Sequence, residues 1–327
     1  MEDDNGAAGV PRCTRHPDRE TLLTCTRCDR PMCPDCLVPA AVGMQCVDCV
    51  RGSAKEEPKV ARELTVARRR ARRPGWVFWT LVAVFLALCV ALTRFSESEV
   101  MFGDVSSGLK AAAFLTVLVG WVISLCIHEW AHAYVAYRSG DHSVVGKGYL
   151  NLDPRKYVDP VFSLVFPILF LLMGGIGLPG GAVWIDHGNI RSRASRSLVS
   201  AAGPAVNLVF GVVCVVVAQR LLVDWEPLLG STIMYLGFIQ FATALLNLLP
   251  IPGLDGFGII APYLPYQIRN GLMAMSSMII MLLLVIVISR PGSMAFLFDG
   301  ATNLVERSGG HMVWVALGQY IGDIQLR

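Results

Sequence analysis

The chain has 327 residues, 54% of them hydrophobic and only 16% charged, with a mean hydropathy of +0.53 and a formal net charge of +3. A soluble domain carries nearer ~25% charged residues; here the apolar residues gather in runs of about 18 or more, enough to cross a ~30 Å bilayer core. These figures exclude a single soluble globule, a disordered chain and a collagen-like chain. The small net charge, with its basic residues beside an apolar run, disfavours a nucleic-acid partner.

From the amino terminus, Met1 to Gly9 is acidic and rich in small residues. It has no apolar stretch of the kind a secretory signal needs. The cysteines that follow are expected to start in a reducing cytosol, where paired thiols read as metal sites before disulfides. They form the pairs Cys13-x-x-His16, Cys25-x-x-Cys28, Cys33-x-x-Cys36 and Cys46-x-x-Cys49. A two-residue gap lets one tight turn aim two donors at one ion, and eight donors suffice for two tetrahedral zinc ions. The segment is too short to build its own core, so metal supplies its folding free energy. Such closed sites are structural. The spacing leaves the pairing open; first with third and second with fourth is the expected arrangement. The pattern resembles the B-box-like zinc finger at the amino terminus of some bacterial membrane proteins, and residues 1–52 are assigned to it. The remaining cysteines, Cys89, Cys126 and Cys214, lie inside apolar runs and read as small buried hydrophobes.

Residues 53–75 form a juxtamembrane linker containing Arg68, Arg69, Arg70, Arg72 and Arg73. Because this basic run abuts the apolar run Trp76 to Thr93, the positive-inside rule places the finger in the cytoplasm. A second span, Leu109 to Tyr137, then returns inward and carries His128, Glu129 and His132. Val158 to Leu178 contains Pro167 and ends in a glycine-rich stretch. Letting it dip in and return keeps the flanking charged loops on their proper sides, so a re-entrant segment is expected, with an ordinary sixth span as the alternative. Leu198 to Val223, Ser231 to Leu249 and Gly271 to Ser289 complete about five spans. The expectation is an all-α polytopic membrane protein with a small zinc-binding domain, its membrane domain covering 76–290 and a tail, 291–327, with no functional reading.

The chemistry concentrates in the second span. His128 and His132 are four apart, so a helix projects both imidazoles from one face, and Glu129 lies beside them to polarise a water. This is the arrangement of zinc metalloproteases, and ionisable groups within a membrane span mark a functional site by default. A catalytic zinc needs a third protein ligand and an open position. Asp255 is the candidate, because Pro250 and Pro252 break the helix before it. His142 and His187 read as ordinary loop residues.

Together, His128-Glu129-x-x-His132, Gly203-Pro204-Ala205-Val206-Asn207 and the Asn247 to Gly256 stretch ending in Leu-Asp-Gly resemble the site-2 protease family of intramembrane zinc metalloproteases. The resemblance runs from about Leu109 to Tyr263. It implies that His128, His132 and Asp255 hold one catalytic zinc and that Glu129 is the general base and acid. It also implies that Asn247 lies near the bound substrate and that Gly181 to Asp186 sits where relatives present the substrate strand. The implied activity is cleavage of the transmembrane segment of a membrane-anchored protein in regulated proteolysis. Membrane lipid surrounds the domain, and the finger offers a surface for a protein partner. The competing reading is a catalytically inactive membrane scaffold whose finger recruits that partner.

Overall fold

The computed structural model describes residues 10–40, 43–52, 75–99, 105–156, 185–190, 192–290 and 292–322. The expected re-entrant segment, 158–178, lies outside these residues, as do 53–74 of the basic linker and 181–184. The chain divides into two compact units, 1–70 and 71–327.

In the first unit, β1 (Arg12–Cys13) pairs antiparallel with β2 (His16–Glu20), and β3 (Leu37–Pro39) with β4 (Met44–Cys46). Each strand is too short to be stable alone. The buried apolar residues are Cys13, Cys25, Met32, Cys33, Cys36, Leu37 and Cys46. A core made mainly of cysteine is what a metal-nucleated fold requires.

The second unit is helical. Its long elements are α1 (Trp76–Glu99), α2 (Ser107–Ser139), α3 (Arg193–Val217) and α4 (Pro227–Asn247), and all four are long and apolar enough to cross a membrane. α3 runs on through a wider π turn, Ala218–Leu222. After α4 come α5 (Asp255–Ile260), α6 (Tyr266–Ala274), α7 (Ser276–Ser289), α8 (Ala295–Arg307) and α9 (Met312–Gly322). Local chemistry sets several ends. The Ser106 hydroxyl accepts the Leu109 N–H to start α2, and Gly140, at φ +121°, closes it. The Ser192 hydroxyl accepts the Ser195 N–H to start α3, and Pro227 occupies the first turn of α4, where a missing N–H costs nothing.

α4 is the central pillar. Nearly all of it is buried, enclosed by α2, α3, α8 and α9, as an all-round apolar helix should be. Two departures from the sequence reading follow. Residues 271–289 are not one continuous span: α6 ends and α7 begins at Met275. The 14 residues of α7 rise only about 21 Å. The break falls where Met275 bonds back to the Leu272 carbonyl and two serines follow, a residue type that favours helix ends over interiors. The described part of the tail, α8 and α9, packs against α4. Leu297, Ala301 and Val305 form one buried stripe of α8, and Val315 and Ile321 of α9 are buried as well. Lys110 on α2 lies 5.1 Å above the Tyr320 ring.

Candidate metal centre

α2, α3 and α5 build the centre. His128 and His132 stand one above the other on α2, both buried, with Glu129 buried beside them. Their Nε2 atoms are 3.0 Å apart. Asp255 completes the group: Oδ2 is 3.3 Å from His128 Nε2 and Oδ1 is 3.3 Å from His132 Nε2.

The stretch between α4 and α5 puts Asp255 there. Pro250 and Pro252 cannot donate to a helix, so α4 stops and tight bonds take over, from Ile251 to the Leu249 carbonyl and from Leu254 to the Ile251 carbonyl. Gly253 turns the chain at φ +101°, a region that an L side chain rarely adopts. Asp255 is then the first residue of α5, which packs on α3, where the Ser197 hydroxyl donates to the Ile259 carbonyl at 2.6 Å.

α3 orients the rings. His132 Nδ1 donates to the Val199 carbonyl (2.6 Å), and His128 Nδ1 to Asn207 Oδ1 (3.0 Å). Protons on both Nδ1 atoms leave both Nε2 atoms as lone pairs. Two lone pairs and a carboxylate thus converge, an arrangement that repels itself unless a cation sits among them. Donors about 2.0–2.1 Å from a tetrahedral zinc lie about 3.4 Å apart, close to the observed 3.0 and 3.3 Å. Gly203 makes room. A Cβ there would lie 2.3 Å from His132 Nε2 and 2.4 Å from His128 Nε2. Asp255 keeps 22% of its side-chain surface exposed, against 5% and 8% for the rings, so the centre opens on the carboxylate side.

Of the other predicted site residues, Asn247 is buried at the end of α4. Ile185 and Asp186 are the described part of the 181–186 stretch. The Asp186 N–H donates to Asp141 Oδ2 at 2.8 Å, tethering this segment to the turn after α2. Burial alone would raise the Asp141 carboxyl, but the donors on Ser143 and Asp186 outweigh it and hold it below its ordinary value. His142 packs edge-on against Tyr137, and His187 lies in a single turn, His187–Asn189.

In the first unit the donors fall into two interleaved groups, Cys13, His16, Cys33 and Cys36, and Cys25, Cys28, Cys46 and Cys49. His16 Nδ1 is 3.4 Å from Cys33 Sγ and 3.3 Å from Cys36 Sγ, and the Cys28 and Cys46 sulfurs are 3.9 Å apart. Tetrahedral zinc–thiolate geometry gives sulfur separations of about 3.8 Å. Both groups fit.

Sequence reasoning picked out the Gly203 to Asn207 stretch but assigned neither residue a role at the rings, and it missed Val199. A signal for them exists: residues 199, 203 and 207 recur every four positions, which puts them on one stripe of α3.

The family model for peptidase family M50 matches residues 116–224. Relatives carry the name "Putative zinc metalloprotease". Rip2 of Mycobacterium tuberculosis is 45% identical over 177 residues, 54% of this chain and 68% of its own length. Rip2 of Mycolicibacterium smegmatis is 38% identical over 210 residues, 61% of this chain and 80% of its own length. The chain belongs to peptidase family M50. YwhC of Bacillus subtilis, also so named, is 29% identical over 184 residues, 54% of this chain and 82% of its own length. No solved structure matches. Membership in M50, the site-2 protease family, classes the chain as a zinc metalloprotease, and its apolar helices make it a multi-pass bacterial membrane protein. The M50 match takes in α2 from residue 116 and all of α3, the two helices that hold and orient the histidines.

Proposed function

We propose that this protein is an intramembrane zinc endopeptidase that cuts the transmembrane segment of a membrane-anchored protein. The observation carrying the proposal is the convergence of His128, His132 and Asp255, from two separate helices, beside a buried Glu129 within a membrane-spanning helix. His128, His132 and Asp255 hold one zinc, and the two cysteine-rich groups hold two structural ones. Zinc, when bound, polarises the scissile carbonyl and lowers the pKa of water. Glu129 takes a proton from that water at its carboxylate and passes it to the leaving amine. Asn207 and the Val199 carbonyl fix the rings throughout. Asn247 lies along the bound substrate strand.

His132 stands six residues before Arg138, about 10 Å along the helix, so water reaches Glu129 through a polar cleft and not through lipid. A helical substrate must unwind locally, since intrahelical hydrogen bonds shield its peptide bonds. The substrate is therefore a single-span protein, such as a membrane-held regulator already trimmed by another protease. The arginines of the linker place the finger, residues 1–52, in the cytoplasm, where it docks a protein partner. An inactive scaffold would not need Glu129 beside a complete ligand set.

The test is cleavage of a single-span reporter by the purified chain in liposomes. Cleavage should stop on zinc chelation and return with zinc. Cleavage that persists in chelator assigns the activity elsewhere.

A further inference from the structure

α4 is apolar, yet Gln240, Thr243 and Asn247 lie on one face of it, at helical spacings of three and seven, and all are buried. That face meets α2. Leu236 packs against Gly120, and one turn further along both helices the Gln240 Nε2 donates to Ser124 Oγ at 2.8 Å. Both pairs are offset by 116 positions, so α2 and α4 run parallel here. Carrying the same register forward sets Thr243 beside Ile127 and Asn247 beside Ala131, next to His128 and His132.

Two atoms of this seam are anomalous. Gln240 Oε1 and Thr243 Oγ1 are buried and have no hydrogen-bond partner among the described residues. Four other buried hydroxyls of the bundle bond the preceding turn of their own helix. Thr116 donates to Ala112, Ser124 to Trp121, Ser231 and Thr232 to Leu228, all at 2.7 to 3.0 Å. Thr243 makes no such bond. Gln240 spends its amino group on Ser124 and keeps a free carbonyl. Side chains three apart on a helix have Cβ atoms about 5–6 Å apart, a gap that one water spans. The two oxygens are neutral, and among the described residues no metal-ligating group includes them, so the seam suits water and not a metal ion. Polar buried sites with two or more partners hold water, whereas apolar ones stay dry.

We propose that Gln240 Oε1 and Thr243 Oγ1 bind an internal water molecule on the membrane-core side of the metal centre. The water braces the Gln240 side chain, whose amide donates to Ser124 of α2, so Gln240 and Thr243 act as positioning residues for α2 one turn before His128. The kinetic half of this proposal rests on the endopeptidase reading; the binding half does not.

The test uses the full chain in lipid nanodiscs, with Thr243→Val, Thr243→Ser and Gln240→Met. A high-resolution structure should show one water within hydrogen-bond distance of both oxygens in the wild type and Thr243→Ser, and none in Thr243→Val. Thr243→Val should lose about tenfold in kcat, the scale of other outer contacts around metal sites, with KM and zinc content unchanged, and Thr243→Ser should restore it. Gln240→Met should lose the water too. Direct protein partners for both oxygens overturn the proposal. So does a Thr243→Val variant that is more heat-stable yet turns over like the wild type, the mark of a dry and merely mispaired hydroxyl. If the endopeptidase reading alone fails, the wild type cleaves nothing while the water remains in place.

Discussion

His128 and Asn207, 79 residues apart in sequence, meet across the α2–α3 interface with Nδ1 and Oδ1 3.0 Å apart. Asn207 thereby holds the proton on Nδ1 and leaves Nε2 facing Asp255. Asn207→Ala should weaken zinc binding at the centre by about 10- to 100-fold, while the bundle stays folded. Zinc titration of a chain lacking the finger, alongside its thermal unfolding, measures both. Unaltered zinc affinity would mean that packing alone sets the ring.

Gly203 gives an unusually sharp steric prediction. Alanine improves helix propensity by roughly 1 kcal/mol over glycine, so Gly203→Ala would stabilise α3 if nothing faced it. Here the added Cβ falls within 2.5 Å of ring atoms of His128 and His132. The variant should lose zinc from this centre and lose cleavage with it. Metal analysis decides, and a zinc-replete, active Gly203→Ala would show that the rings stand elsewhere.

Glu129→Gln and Asp255→Asn separate two roles. The glutamine keeps size and polarity but cannot take a proton, so cleavage should fall by at least ~100-fold, the scale of general base catalysis, with zinc content nearly intact. Asp255→Asn should reduce both metal and activity. Full zinc occupancy in Asp255→Asn would remove it as the third ligand.

For the finger, deletion of residues 1–58 should lower the zinc content from three ions to one. Its pH dependence can be signed. Burial raises the Cys13 and Cys25 thiols, but backbone N–H groups, led by Cys33 and Cys46 respectively, outweigh it and bring each to about 6. Burial raises Cys36 to about 11, and the Cys46 side chain, followed by burial, raises Cys49 to about 12. The depressed pair contributes to the folded finger above the ordinary thiol value of 9.0, and that contribution is lost as pH falls through about 6. The raised pair favours folding below 9.0, and that stability is lost as pH rises through 11 to 12. Zinc entering at neutral pH must therefore displace protons from Cys36 and Cys49. Calorimetry in buffers of different ionisation enthalpy should record proton release, and zinc affinity should weaken as pH falls. Uptake without proton release would contradict the thiol assignment.

Much of this was legible in the residues themselves. Apolar runs announce spans because a bilayer core has a fixed thickness, and pairs such as Cys25 and Cys28, or His128 and His132, announce candidate metal-ligand groups because local spacing fixes which donors share a turn or a helix face. What the sequence could not supply is everything set by contacts between elements distant along the chain. That Val199 and Asn207 bond the ring nitrogens, that Gly203 lies against the rings, and that α8 and α9 pack on α4 all depend on how helices pack. So does the setting of Thr243, whose hydroxyl has no partner among the described residues yet looks like any other in the sequence. Packing is decided by the shapes and hydrogen bonds of facing side chains, which no local pattern encodes.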